Sequence, residues 1–316
     1  MNPRAASALL CTAVFLPAFA YPVMAGPWSL APGEYYSEFR TGVFVTGSYF
    51  DAGGDLRGLL GGGQIEEHSL LSYTELGWKK RLTFVLGIPA KSVTRRFGAG
   101  ADTSYRPTAT GLADGLVGLR YGLANGRTAL ALELDWKPPL GYERKPFLGH
   151  RDSVNAGDTS GDGDSLDVNR ARQLGSPTLG EGQQDLTLAL HLGTVLSFGF
   201  FQVAGGYRYR FDDPADQIVA SADLGIWARR SWLIAGHYEG EFAAADADRP
   251  TDEVDRQRVG PVVVYRVDDR MDLIAATLHA LAASNALHTH EFFVGFAFKN
   301  TRLDRLQGFL GGSKAP

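Results

Sequence analysis

The feature that most restricts this chain is an alternation of period two, repeated in runs longer than ordinary globular strands. In Thr128-Ala-Leu-Ala-Leu-Glu-Leu-Asp-Trp-Lys137, one side of an extended chain carries Leu130, Leu132, Leu134 and Trp136. The other carries Ala131, Glu133, Asp135 and Lys137. Between Asp185 and Gly193, Leu186, Leu188, Leu190 and Leu192 oppose Asp185, Thr187, Ala189 and His191. The stretches from Phe201 to Phe211, Trp232 to Phe242 and Phe292 to Phe298 repeat the pattern. A helix would mix the two sides, so these segments read as strands.

About twelve such segments occur, near 34–46, 68–79, 81–95, 110–124, 127–138, 183–197, 200–212, 216–228, 231–243, 256–267, 270–283 and 288–299. A globular strand averages roughly five or six residues, whereas a tilted strand crossing a bilayer needs roughly 9 to 11. The connections alternate too. Those at Lys80, Asn125-Gly126, Ser197-Phe198-Gly199, Arg229-Arg230 and Asp268-Asp269 are short, and Asn-Gly is a strong hairpin signal. Those around 47–67, 96–109, 139–182 and 244–255 are long, polar and rich in glycine. The expected fold is all-β: a transmembrane antiparallel up-and-down barrel of about twelve strands, with short periplasmic turns and long extracellular loops. Closure leaves no strand edge unpaired in lipid. A water-soluble β-sandwich explains the alternation but not the strand lengths and the loop asymmetry together.

The ends agree with export. Arg4, an apolar stretch from about Ala8 to Ala20 and the small-residue site Val23-Met-Ala25 read as a signal peptide over 1–25, followed by a barrel over 26–299. Residues 300–316 read as a periplasmic tail, either a short amphipathic helix carrying Leu303, Leu306, Phe309 and Leu310 or disordered chain. The single cysteine, Cys11, lies in the leader, so no disulfide, thiolate metal site or cysteine nucleophile is expected in the exported part. Cleavage would remove Arg4 and no acid, changing 31 basic against 35 acidic residues to 30 against 35. That balance supplies no basic footprint for nucleic acid.

If the apolar sides face lipid, the opposite sides face a lumen. The lumen-lining candidates are Glu38, Arg40, Glu75, Asp114, Arg120, Glu133, Asp135, Asp185, His191, Arg208, Arg210, Asp223, His237, Glu239, Glu241 and Glu291, together with Lys79, Lys137 and Lys299. Both signs are present, and a barrel of this size is narrow. Two uses stay open: the charges pair and fill the interior, or they line a selective path. Pro261 lacks a ladder donor and marks a bulge or weak pairing within its strand; it and the glycine-rich breaks are the candidate places for a lateral exit of an apolar solute.

Three stretches resemble the MetA-pathway of phenol degradation family of outer-membrane proteins. They are Thr110-Gly-Leu-Ala-Asp-Gly-Leu-Val-Gly-Leu-Arg-Tyr121, Leu134-Asp-Trp-Lys-Pro-Pro-Leu-Gly141 and Leu174-Gly-Ser-Pro-Thr-Leu-Gly-Glu-Gly-Gln-Gln-Asp185. The resemblance implies an envelope barrel related to channels that take up hydrophobic compounds, and it implies no catalytic residues. The chain departs from common barrel practice in continuing for 18 residues past Phe298.

The resulting expectation is a channel in the outer membrane of a Gram-negative bacterium, for passive uptake of small, hydrophobic or aromatic molecules. Its expected partners are membrane lipid and lipopolysaccharide, the barrel assembly machinery and a small-molecule solute. No cofactor, metal or enzymatic activity is expected. The alternatives are a barrel hydrolase acting on lipid and a closed structural or adhesive barrel with partner-binding outer loops. A hydrolase like the outer-membrane phospholipase would need a His and a Ser two residues apart, and no His-x-Ser occurs. His288 and His290, two apart, have a spacing that suits a metal, but an interfacial histidine pair is the expectation. The acidic loop 158–167 lacks calcium-loop spacing, and Gly61-Gly-Gly-Gln64 lacks the Lys-Ser/Thr of a phosphate cradle.

Overall fold

The computed structural model describes residues 26–59, 62–99, 103–142, 177–211, 215–229, 231–244 and 254–300. The leader expected over 1–25, the acidic loop 158–167 and the tail beyond Asn300 lie outside the described residues. Twelve strands among the described residues form the wall. They are β1 (Tyr35–Thr46), β2 (Gln64–Lys79), β3 (Leu82–Ala99), β4 (Thr108–Leu112 continued by Leu116–Asn125), β5 (Thr128–Lys137) and β6 (Asp185–Val195), followed by β7 (Gly199–Arg210), β8 (Gln217–Arg229), β9 (Trp232–Ala243), β10 (Asp255–Arg266), β11 (Met271–Ser284) and β12 (His290–Lys299).

Each strand pairs antiparallel with its sequence neighbours, and β1 pairs with both β2 and β12, so the sheet closes on itself. At the closing end, Tyr35 N–H donates to Asn300 Oδ1 at 2.6 Å and Asn300 N–H donates to the Tyr35 carbonyl at 3.1 Å. The tight turns lie at this end. Arg81, between β2 and β3, takes a positive φ of 70°, and Asp268 Oδ1 caps the β10–β11 turn by accepting from Arg270 N–H and Met271 N–H. Asn125-Gly126 does turn the chain, but neither residue has a positive φ. Asn125 instead donates its amide to the Ser29 carbonyl at 2.9 Å.

The alternation sorts residues in the inverse of a water-soluble sense. Leu132, Leu134, Trp136, Leu188 and Leu190 are exposed on the outside, while Glu133, Asp135 and Lys137 are buried inside. Trp78, Phe198, Trp232, Tyr265 and Phe298 are exposed near the turn end, and Trp136, Tyr209 and Phe211 near the loop end. Two aromatic belts around an aliphatic band are the outer surface expected of a barrel in a bilayer. Among the described residues no helix is long and apolar enough to cross a membrane.

Two departures from regular pairing matter for the interior. β4 breaks at 113–115, where Asp114 makes an isolated bridge to Pro139. The β10–β11 ladder passes from Val259↔His279 to Val262↔Ala276 and skips Gly260-Pro261 opposite Thr277-Leu278. That is the weak pairing Pro261 imposes. At the loop end Ser48–Phe50, Leu56–Gly58 and Ala286–Leu287 form a separate three-stranded sheet above the wall.

Candidate functional site: the barrel lumen

Period-two geometry aims every second side chain inward, and the inward set meets as ion pairs linked from strand to strand. Toward the turn end, Tyr36 donates its hydroxyl to Glu38 at 2.7 Å, and Arg40 lies 3.5 Å from Glu38 and over the Phe293 ring. Lys299 is paired with Asp272, and Arg266 stacks on Trp227. At mid-height Arg120 bridges Glu133 and Glu75, the latter at 3.0 Å, and Tyr73 donates to Glu75 at 2.7 Å. His191 lies 3.6 Å from Glu133.

Across the lumen, Asp223 accepts from Gln202 at 2.8 Å and faces His237 Nδ1 at 2.6 Å. His237 Nε2 lies 3.6 Å from Glu239, which also meets Arg258. Arg258 continues to Glu291 at 2.7 Å, and Lys91 pairs with Glu67 at the same distance.

Toward the loops, Lys137 is ringed by Glu181, Asp185 and Asp114. Arg210 joins Glu181 to Gln217, and Glu241 holds Arg208 at 3.0 Å and Arg256 at 2.7 Å. Burial pushes the Glu181 carboxyl up, but Arg210 and Lys137 beside it outweigh this and hold it below the usual carboxylate range. Tyr142 locks the base of the longest loop: its hydroxyl donates to Asp114 and accepts from Gly182 N–H at 2.6 Å.

All sixteen lumen candidates have their side chains on the inner face, thirteen buried and Arg208, Glu239 and Glu241 half-buried. Lys79 is the exception: a register shift between Gly77 and Lys79 turns it outward, where it sits over the exposed Trp78 ring. Eight inward charges escaped the sequence reading, Arg95, Arg266 and Asp272 among them. Glu67 fell outside a strand drawn to begin at 68, and Glu181 lies in an irregular approach to β6. Arg256 and Arg258 stand in Asp-Arg-Gln-Arg, which is polar on both faces, and Lys91 stands two residues after Pro89. Only the ladder register reveals their direction.

Apolar side chains share the inner wall with these charges, in a cluster that also takes in Tyr36, Leu71, Tyr73, Val85, Leu116 and Phe200. On β9 to β11, Leu233, Ala235, Val264, Val262, Ile274 and Ala276 are buried neighbours, with Leu233↔Val264↔Ile274 and Ala235↔Val262↔Ala276 in cross-strand register. This apolar panel continues to Leu278 and to Phe293 and Ala297 on β12. Small residues on β6 to β8 leave a cavity of about 30 Å³ lined by Ala189, Ala204, Val219 and Ser221 and rimmed by His191, Arg208, Glu239 and Glu241. That is space for about two waters.

A feature the sequence did not announce crosses the turn-end mouth: residues 26–34 run inside the wall before β1 begins. Trp28 Nε1 donates to the Gly126 carbonyl at 2.9 Å, Leu30 N–H to Thr83 Oγ1 at 2.9 Å, and Gly33 N–H to the Gly77 carbonyl at 2.9 Å. Inward glycines make the room, since a side chain at Gly77, Gly122 or Gly193 would collide with Ala31, Ser29 or Pro27.

Among solved structures, the chain is similar to the COG4313 outer membrane channel from Pseudomonas putida F1, with a TM-score of 0.64 at 13% identity, covering 87% of this chain and 98% of that one. Overlaps with the NanC porin (TM-score 0.47, 8% identity, 83% and 98% covered) and with a deltaS2 mutant of the TodX monoaromatic hydrocarbon channel (0.42, 11%, 88% and 93%) are too loose to carry an argument. No family model matches the chain, and no curated protein matches it. The resemblance to the MetA-pathway family is therefore not upheld as membership. What holds is the fold: a closed twelve-stranded antiparallel barrel similar to that of a solved outer-membrane channel.

Proposed function

We propose that the protein is a channel of the Gram-negative outer membrane for passive entry of small, largely apolar molecules. It would be folded there by the barrel assembly machinery and surrounded by lipid and lipopolysaccharide. The observation that carries this reading is the apolar panel set among paired charges inside the barrel. An apolar panel of Leu233, Ala235, Val262, Val264, Ile274 and Ala276 stands within a ring of charges that neutralise one another. Charges satisfied by neighbours offer little to a free ion, whereas an apolar panel lowers the cost of desolvating an apolar solute.

The test is uptake into proteoliposomes of a panel of radiolabelled aromatic and aliphatic solutes, beside sugars and amino acids of matched size. Faster entry of the apolar solutes, reduced by Ala235→Glu or Ala276→Glu, is the expected result. Equal rates with and without protein for every solute would overturn it.

The segment 26–34 across the turn-end mouth favours a second reading, a closed barrel whose outer loops do the work. It predicts no flux of any solute even when Trp28 is replaced by alanine, together with binding of a partner to intact cells.

A further inference from the structure

Three of the chain's seven histidines gather at the loop end, outside the lumen. His279 on β11 and His290 on β12 are directly opposed in the ladder, and their side chains are exposed on the outer face. Their Nδ1 atoms lie 2.8 Å apart. His288 is two residues before His290, its ring centroid 4.6 Å from that of His290, and its Nδ1 lies 3.2 Å from Ser48 Oγ in the small outer sheet.

Two ring nitrogens that converge face to face are either a single hydrogen bond or a chelate. With metal to imidazole bonds of about 2.0–2.1 Å, ligands at a right angle stand about 2.9 Å apart and tetrahedral ones about 3.4 Å apart. The observed span is that of a hydrogen bond and also suits two adjacent ligands of a tetragonal copper(II) or nickel(II) ion. No set of three ligands is closed among the described residues, so the preformed part is the His279–His290 pair.

We propose that His279 and His290 form a two-nitrogen surface site for a divalent transition metal of the copper(II) class, completed by His288 after rotation of its ring. Because β11, β12 and the segment that pairs with Ser48–Phe50 each supply one ligand, the bound metal fastens the outer sheet to the rim of the barrel.

The probe is copper(II) added to the full-length, detergent-folded protein purified without a polyhistidine tag. Electron paramagnetic resonance and calorimetry read stoichiometry, nitrogen ligation and affinity. One equivalent is expected, with superhyperfine structure from at least two nitrogens. Affinity falls at least tenfold in His279→Ala and His290→Ala, and less in His288→Ala. Copper also slows proteolysis within residues 47–59 in the parent protein but not in the doubly substituted variant. Retained heat-modifiable migration shows that each variant is folded. Equal copper affinity in the parent and in the folded His279→Ala, His290→Ala double variant would overturn the proposal, as would binding carried by His68 or His150.

Discussion

Arg120 on β4 and Glu133 on β5 stand opposite each other in the ladder, hydrogen-bonded, with no exposed side-chain surface on either. Glu75 shares the same guanidinium from β2. Removing the cation would leave two shielded carboxylates facing each other, and breaking a buried pair of this kind costs about 3–5 kcal/mol. Arg120→Ala is expected to lower the unfolding free energy of the detergent-folded barrel, read from its urea titration, by an amount in that range. Adding Glu75→Gln and Glu133→Gln should restore a good part of it, because the repulsion leaves with the charges. A triple variant no more stable than the single one would show that packing, not charge, sets the cost.

Leu190 sits at the middle of β6 on the outer face, with 48% of its surface exposed. In water an arginine there is harmless; in hydrocarbon it costs about 2–4 kcal/mol near the midplane. Leu190→Arg should reduce folding yield into lipid vesicles while leaving yield in detergent micelles closer to the parent. Equal yields in both would remove lipid from the outer surface.

Trp28 is the largest side chain of the segment across the turn-end mouth, packed beside Gly193 and hydrogen-bonded to the wall at Gly126. Trp28→Ala should raise single-channel conductance severalfold in planar bilayers. An unchanged trace would place the narrowest point higher, at the Arg120 or Arg258 layers.

Asp51 organises the first outer loop. Hydrogen bonding from Arg57, then from the Asp55 and Gly53 backbone, holds its carboxyl below the usual carboxylate range. Its folded value is therefore lower than its unfolded one. The stabilisation is complete above roughly pH 4 and is lost as pH falls through the folded value. Pepsin cleavage within residues 47–59 should accelerate on acidification in the parent protein, and Asp51→Asn should be cleaved rapidly throughout. Identical profiles would assign the loop's order to its strand pairing alone.

What could be read in advance followed the chemistry of each position. Leu130 to Trp136 face outward and Glu133 to Lys137 inward because a pleated strand leaves no other choice once lipid lies on one side. The gap at Pro261 followed from a missing donor. Glu67, Arg256 and Arg258 escaped because strands extend into the loop region with polar residues on both faces, where alternation vanishes. Lys79 was misplaced by a one-residue shift that periodicity alone does not register. The path of residues 26–34 was hidden because its partners are glycines, whose meaning is room for another chain, and sequence does not name the occupant.

The small outer sheet joins Ser48–Phe50, just after the first wall strand, to Ala286–Leu287, just before the last. These segments approach only when β1 has found β12, so the sheet is a seal laid over the joint of the cylinder. An open, partly assembled wall has nothing for it to clasp. Its formation therefore records that the ends have met.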